Sequence, residues 1–137
     1  MTTMIEVAKA FFVACETGGG WESCKCFCRS DAGFACQNTV LSDITKLSGY
    51  TEWMKGLLTA LTDGSYEVKS FAADEARKNV IAYGIFTGTH LKGGPVAPTG
   101  KTAITDYVYV MQFEGDQIVH MTKIWNSGYA LKQLGWR

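Results

Sequence analysis

From Ser65 onward the apolar periodicity of this 137-residue chain switches from helical spacing to a period of two. Four runs, 65–73, 79–91, 101–113 and 117–126, are rich in Val, Ile, Tyr, Phe and Thr and read as consecutive strands. Their connections are 74–78, a Gly/Pro loop at 92–100 and the turn Glu114-Gly115-Asp116. Short, adjacent connections favour an antiparallel meander. Upstream the order is mainly helical, and helices followed by a sheet give an α+β order that excludes a doubly wound nucleotide fold.

Thr3 followed by Glu6 has capping-box spacing and predicts a first helix over 4–16, with Met4, Val7, Ala8, Phe11, Phe12 and Cys15 on one stripe. Gly18-Gly19-Gly20 ends it; without a following Lys or a preceding strand these glycines are not a phosphate loop. A short helix is expected over 21–28, a turn at Ser30-Asp31 and a weak strand over 33–40. Ser48 is positioned to cap a third helix whose stripe is Tyr50, Trp53, Met54, Leu57, Leu58 and Leu61, ended by Asp63-Gly64.

The length and the absence of linkers or repeats predict a single domain over 1–137. Thirteen basic and thirteen acidic side chains cancel with no same-sign cluster, which argues against nucleic acid or anionic lipid as a partner. Glu6 and Lys9 interrupt the apolar start, so it reads as a helix of the fold and not as a secretion signal. With no apolar run long enough to span a bilayer, no membrane association is expected and the default compartment is cytoplasmic. Five cysteines crowd the first third, an odd number that argues for reduced thiols. Cys24 and Cys28 share one helical face while Cys26 points away, which suits small buried hydrophobes better than a metal site. Neither metal nor cofactor is expected.

Four short motifs stand in order after residue 87: Gly88-Thr89-His90, Pro98-Thr99-Gly100-Lys101, Gly115-x-x-Ile118 and Gln133-Leu134-Gly135. Together they resemble the SnoaL-like polyketide cyclases, a branch of the nuclear transport factor 2-like superfamily. The resemblance implies a cone-shaped fold, N-terminal helices packed on a curved, mainly antiparallel sheet, with a pocket at the open end. It also implies a homodimer formed through the sheet in many relatives.

Parity then sorts the candidate site residues. In 101–113, Thr105, Tyr107, Tyr109, Met111 and Phe113 share one face, with Asp106, Val108 and Val110 on the other. In the last strand Val119, Met121, Lys123 and Trp125 alternate against Ile118, His120, Thr122 and Ile124. The segment Tyr109–Phe113 is similar to the one in ketosteroid isomerase where a carboxylic acid donates into the oxyanion hole at the Tyr109 position, and a phenol is also a neutral donor. Asn126 falls where the cyclases carry their acid–base Asp, and an amide does no acid–base work at neutral pH. Positioning a substrate carbonyl is its expected role. Any base would then come from Asp106 or His120, and Lys123 is a snorkelling side chain, a charge partner or an amine nucleophile.

Trp53, Tyr109, Met121, Lys123, Trp125 and Asn126 are accordingly expected to line a pocket for a small apolar molecule, with Tyr109, Asp106 and His120 as catalytic candidates. His90, at a strand end before the Gly/Pro loop, reads first as a loop anchor. Two functions are open: a cofactor-independent cyclase, isomerase or dehydratase acting on an apolar carbonyl compound, and a non-catalytic ligand-binding or dimerisation domain. Apolar residues on the second sheet face (Val108, Val110, Ile118, Ile124) predict that a second copy covers it.

Overall fold

A computed structural model describes residues 3–136. Helix α1, Met4–Glu16, is capped by Thr3, whose hydroxyl accepts the Glu6 amide. Helix α2, Gly20–Cys24, passes into a 3-10 turn at Lys25–Phe27. Strand β1, Cys28–Cys36, follows, then turns over 37–46 and helix α3, Leu47–Ala60. Strands β2, Ser65–Asp74, β3, Asn79–Thr89, β4, Thr102–Glu114, and β5, Gln117–Trp125, complete the sheet, and helix α4, Ser127–Leu134, closes the fold.

The sheet order is β1-β5-β4-β3-β2, with β2 to β5 antiparallel as a meander. Strand β1 adds to β5 in parallel, a pairing across the whole helical half of the chain. The resulting α+β fold lays its helices against one sheet face. Phe12 of α1 centres the packing, its ring 5.2–6.0 Å from those of Tyr66, Phe71, Tyr107 and Tyr109. Burying such a ring is worth about 1.5–3 kcal/mol, so this cluster fixes how α1 lies on β2 and β4.

Local differences from the sequence reading have identifiable causes. Ser48 lies inside α3 and not at its start: the N-cap is Lys46, which has no side-chain capping bond. Lys46 instead bridges to Gly33, fixing the helix start through the sheet edge. Strand β1 begins at Cys28 and ends at Cys36, because Asn38 folds the chain back, accepting the Leu41 amide and donating to the Trp125 carbonyl. Helix α4 follows from Asn126, whose Oδ1 caps it at 3.0 Å from the Tyr129 amide; Gly135, at φ 73°, ends it in the left-handed region that suits glycine.

The parity of β5 also shifts. Gln112 pairs with His120 but Phe113 pairs with Ile118, so Val119 is an extra residue, a β-bulge. Ile118 is therefore fully buried on the helix side and not on the outer face, while Met121 and Lys123 keep their inward orientation.

Candidate active site

An acid lies at the end of α1. Glu16 continues the stripe of Ala8 and Phe12 at four-residue spacing, and it is only 4% exposed. The Tyr107 hydroxyl donates to its Oε1 at 2.5 Å and the Tyr109 hydroxyl donates to its Oε2. Burial pushes the Glu16 carboxyl up, against the opposing pull of the Lys123 charge and the two phenols. Its place in the last turn of a helix, where the macrodipole disfavours an anion, acts in the same direction.

Lys123 enters from β5 and is 6% exposed. Its Nζ donates to the Tyr50 hydroxyl at 2.9 Å, and the Tyr50 and Tyr109 oxygens are 2.6 Å apart. Because the Tyr109 proton is used on Glu16, the Tyr50 hydroxyl donates to Tyr109. A directed chain thus runs from the Lys123 ammonium through two phenols to the Glu16 carboxylate. Around the amine stand the rings of Trp125, Tyr50 and Trp53, with centroids 4.4, 4.9 and 5.3 Å from Nζ. Desolvation nevertheless holds the ammonium below the usual lysine range, with Glu16 opposing that shift. Burial likewise pushes the Tyr50, Tyr109 and Tyr107 phenols above theirs, keeping them neutral donors at physiological pH.

Above this chain the fold opens into an apolar cavity of about 510 Å³, walled by Trp53 and Leu57 of α3, Phe86 and Trp125 of the sheet, and Leu131 of α4. Trp53 and Trp125 meet edge to face at 5.9 Å. Beneath it a chamber of about 20 Å³ touches Glu16, Tyr107, Lys123 and Thr105. Such a chamber has room for roughly one water. Leu57, Phe86, Thr105 and Trp125 line both spaces, so the chamber bordered by the acid and the amine adjoins the cavity.

The mouth is tied by the motifs that carry the family resemblance. His90 Nδ1 accepts from the Thr99 amide (3.2 Å) and from Trp136 Nε1 (2.8 Å), while Nε2 lies 2.6 Å from the Gly93 carbonyl. That pattern requires the Nε2–H tautomer. Thr99 donates to the Leu134 carbonyl and Gln133 accepts the Ile104 amide, joining loop, tail and β4.

The structure brings Trp53 and Trp125 to the cavity wall, Lys123 to the inner chamber, and Tyr109 directly beneath it. Met121 is fully buried in the core. Asn126 is exposed and spent on capping α4, so it does not face this cavity. Asp106 and His120 are on the opposite sheet face: Asp106 accepts from Tyr83, and His120 lies over Gly33, where an added Cβ would meet its Nδ1 at 2.8 Å. The strand parity that points Tyr109 inward points both away from it, so neither lines the cavity or the chamber beneath it. An outer hollow of about 710 Å³ there is lined by Asp106, Asn126 and Ile124. Glu16, Tyr50 and Tyr107 were the site residues the sequence reading missed as polar participants. The available signal was the spacing Ala8-Phe12-Glu16, which carries a carboxylate onto the buried stripe.

All five cysteines are unpaired, and among the described residues no cluster of three or more His, Cys, Asp or Glu side chains is placed to hold a metal. No helix among them is long and apolar enough to cross a membrane.

Helices on one face of a mostly antiparallel sheet, enclosing an apolar cavity, make the nuclear transport factor 2-like α+β fold. A model of the SnoaL-like polyketide cyclase family matches residues 6–134, and the chain belongs to that family. Among solved structures it is similar to AclR of Streptomyces galilaeus, named a candidate hydroxylase, with 22% identity over 98% of this chain and 84% of that one and a TM-score of 0.78. It is also similar to IdmH of Streptomyces antibioticus, named a candidate polyketide cyclase (16% identity, 98% and 99% coverage, TM-score 0.76). A Catenulispora acidiphila protein with a ketosteroid isomerase-like fold, in complex with trimethylamine, aligns over 97% of this chain and 95% of its own at 14% identity and TM-score 0.71. At these identities the likeness concerns the fold. No curated protein sequence matches significantly.

Proposed function

We propose that this SnoaL-like protein binds a flat, apolar carbonyl compound in its 510 Å³ cavity and acts on it by acid–base chemistry without a cofactor, as an isomerase or cyclase does. One observation carries this reading: a buried carboxyl, Glu16, held by two phenols beneath an apolar cavity. A carboxyl kept out of water is tuned toward neutral pH, where it exchanges protons most usefully. In this reading Glu16 takes the proton next to the carbonyl, the phenols of Tyr107 and Tyr109 retain its orientation, and Trp53 and Trp125 hold the ring system. The trimethylamine held by the Catenulispora protein supports small-molecule binding by this fold.

A non-catalytic binding domain is the second reading, favoured by Asn126, which stands as a helix cap at the position where the cyclases carry their acid–base Asp. Either way, a second copy is proposed to cover the outer sheet face, where Ile81, Ile104 and Ile124 are exposed.

The two readings separate on one compound. 1-Tetralone should quench tryptophan emission saturably, and Trp125→Ala should weaken that binding by about 1–3 kcal/mol. In deuterated buffer the protein should speed deuterium exchange beside the ketone, and Glu16→Gln should slow it by about 10²–10⁴-fold while binding persists. Quenching without accelerated exchange would leave a binding domain; no saturable quenching would remove the site.

A further inference from the structure

We infer that Lys123 captures the carbonyl group of the bound compound as an imine; this deepens the cavity reading and rests on it. A buried lysine without a purpose of this kind is normally paired directly with a carboxylate, because an isolated ammonium is expensive to desolvate. Lys123 is not. The ion pairs among the described residues are all at the surface and none includes it. Its polar partner is a neutral phenol, Tyr50, and its charge is otherwise met by aromatic faces. Glu16 is no direct partner: hydrogen bonds link it to Lys123 through Tyr50 and Tyr109, and both side chains border the inner chamber.

That separation has a chemical consequence. Each hydroxyl of the chain both accepts and donates, so moving one proton along every link turns an ammonium and a carboxylate into a free amine and a carboxylic acid. Net charge in the interior does not change, and no water need enter. The free amine lines the inner chamber with Thr105 and Trp125, whose side chains also line the ligand cavity. An unprotonated lysine in an apolar setting is the nucleophile that carbonyl capture requires.

The Nζ lone pair forms a bond to the carbonyl carbon, the C=O π electrons move to oxygen, and a proton passes from nitrogen to oxygen to give the carbinolamine. The nitrogen lone pair then forms C=N as the C–O bond breaks, and the oxygen leaves as water with a proton supplied by Glu16 through the tyrosine chain. Free amine, carbonyl and carboxylic acid become protonated imine, water and carboxylate, with no oxidant or reductant. Protonated, the imine is an electron sink that eases loss of the adjacent proton, the step assigned above to Glu16.

The test uses 2-naphthaldehyde, which has no adjacent hydrogen and so reports capture independently of proton abstraction. The unaltered protein is incubated with limiting aldehyde and sodium cyanoborohydride, which reduces only the imine once formed, and is then peptide-mapped. The peptide containing Lys123 should be labelled at least roughly tenfold faster than those containing exposed Lys92 and Lys132, as a desolvated amine beside a proton acceptor requires. Glu16→Gln should slow labelling at Lys123 and leave the surface lysines unaffected. Equal or absent labelling at Lys123, with saturable quenching by the aldehyde before reductant is added, overturns the imine and leaves the cavity reading standing. No saturable quenching and no labelling overturns both. Lys123→Met removes the label if it folds; if it does not, the mapping of the unaltered protein already decides.

Discussion

Glu16 and Lys123 are opposite charges in one protein interior, yet two tyrosine hydroxyls, those of Tyr109 and Tyr50, stand between them. A direct pair would hold each in one protonation state. The intervening phenols leave a proton free to move between the two ends, and stability and reactivity both depend on where it sits.

Stability should depend on pH through Glu16. Its carboxyl is raised in the folded protein by burial, so the folded state binds that proton more tightly than the unfolded chain does. This contribution is fully present below the unfolded value of 4.5 and is lost as pH rises through the folded one. Urea denaturation of the unaltered protein and Glu16→Gln across that range should show the unaltered protein losing stability relative to the variant as pH increases. The opposite slope would mean that Glu16 is stabilised as an anion.

Removing single hydroxyls should rank the chain. The Tyr109 hydroxyl hydrogen-bonds with Glu16, Tyr50 and Cys15, whereas the Tyr107 hydroxyl, among the described residues, hydrogen-bonds with Glu16 alone. Tyr109→Phe should cost about 1–3 kcal/mol in urea denaturation, the range for leaving buried polar partners unsatisfied, and Tyr107→Phe should cost less. Equal costs would indicate that the Tyr50 link carries little.

His90 should act as the fastening of the cavity mouth. His90→Ala leaves Trp136 Nε1 and the Thr99 amide without their acceptor, so amide exchange in 92–100 should quicken and emission from Trp136 should shift to the red. The expected loss of stability is about 1–3 kcal/mol. Unchanged exchange in that loop would assign its order to other contacts.

Self-association should go through the outer sheet face. Sedimentation at tens of micromolar should give a dimer, and Ile124→Lys, which places a charge at a residue 59% exposed, should give a monomer that folds normally. A monomer in the unaltered protein would refute this.

The sheet was legible in the sequence because its alternation is strong: β2 to β5 begin and end within two residues of the expected runs. Thr3 and Gly18 likewise marked the ends of α1 through local chemistry. Long-range pairing was not legible. Nothing local to Cys28–Cys36 announces a parallel partner on β5 or an edge that starts helix α3. The site was half legible for the same reason: parity gave the inward set of Tyr107, Tyr109, Lys123 and Trp125, but Glu16 acquires its meaning only when α1 lies on β4. Asn126, read as a ligand contact, is a cap because a helix begins immediately after it.

The extra residue at Val119 separates two stretches of β5 that would otherwise share one phase. On the hairpin side Ile118 is set by the turn; on the far side Met121 and Lys123 are set by the core. The bulge is thus a clutch between them. Substitutions that reshape the Glu114–Gln117 hairpin can slip against it without rotating the amine out of its aromatic cage, whereas losing Val119 would couple the two and force either Ile118 or Lys123 into water.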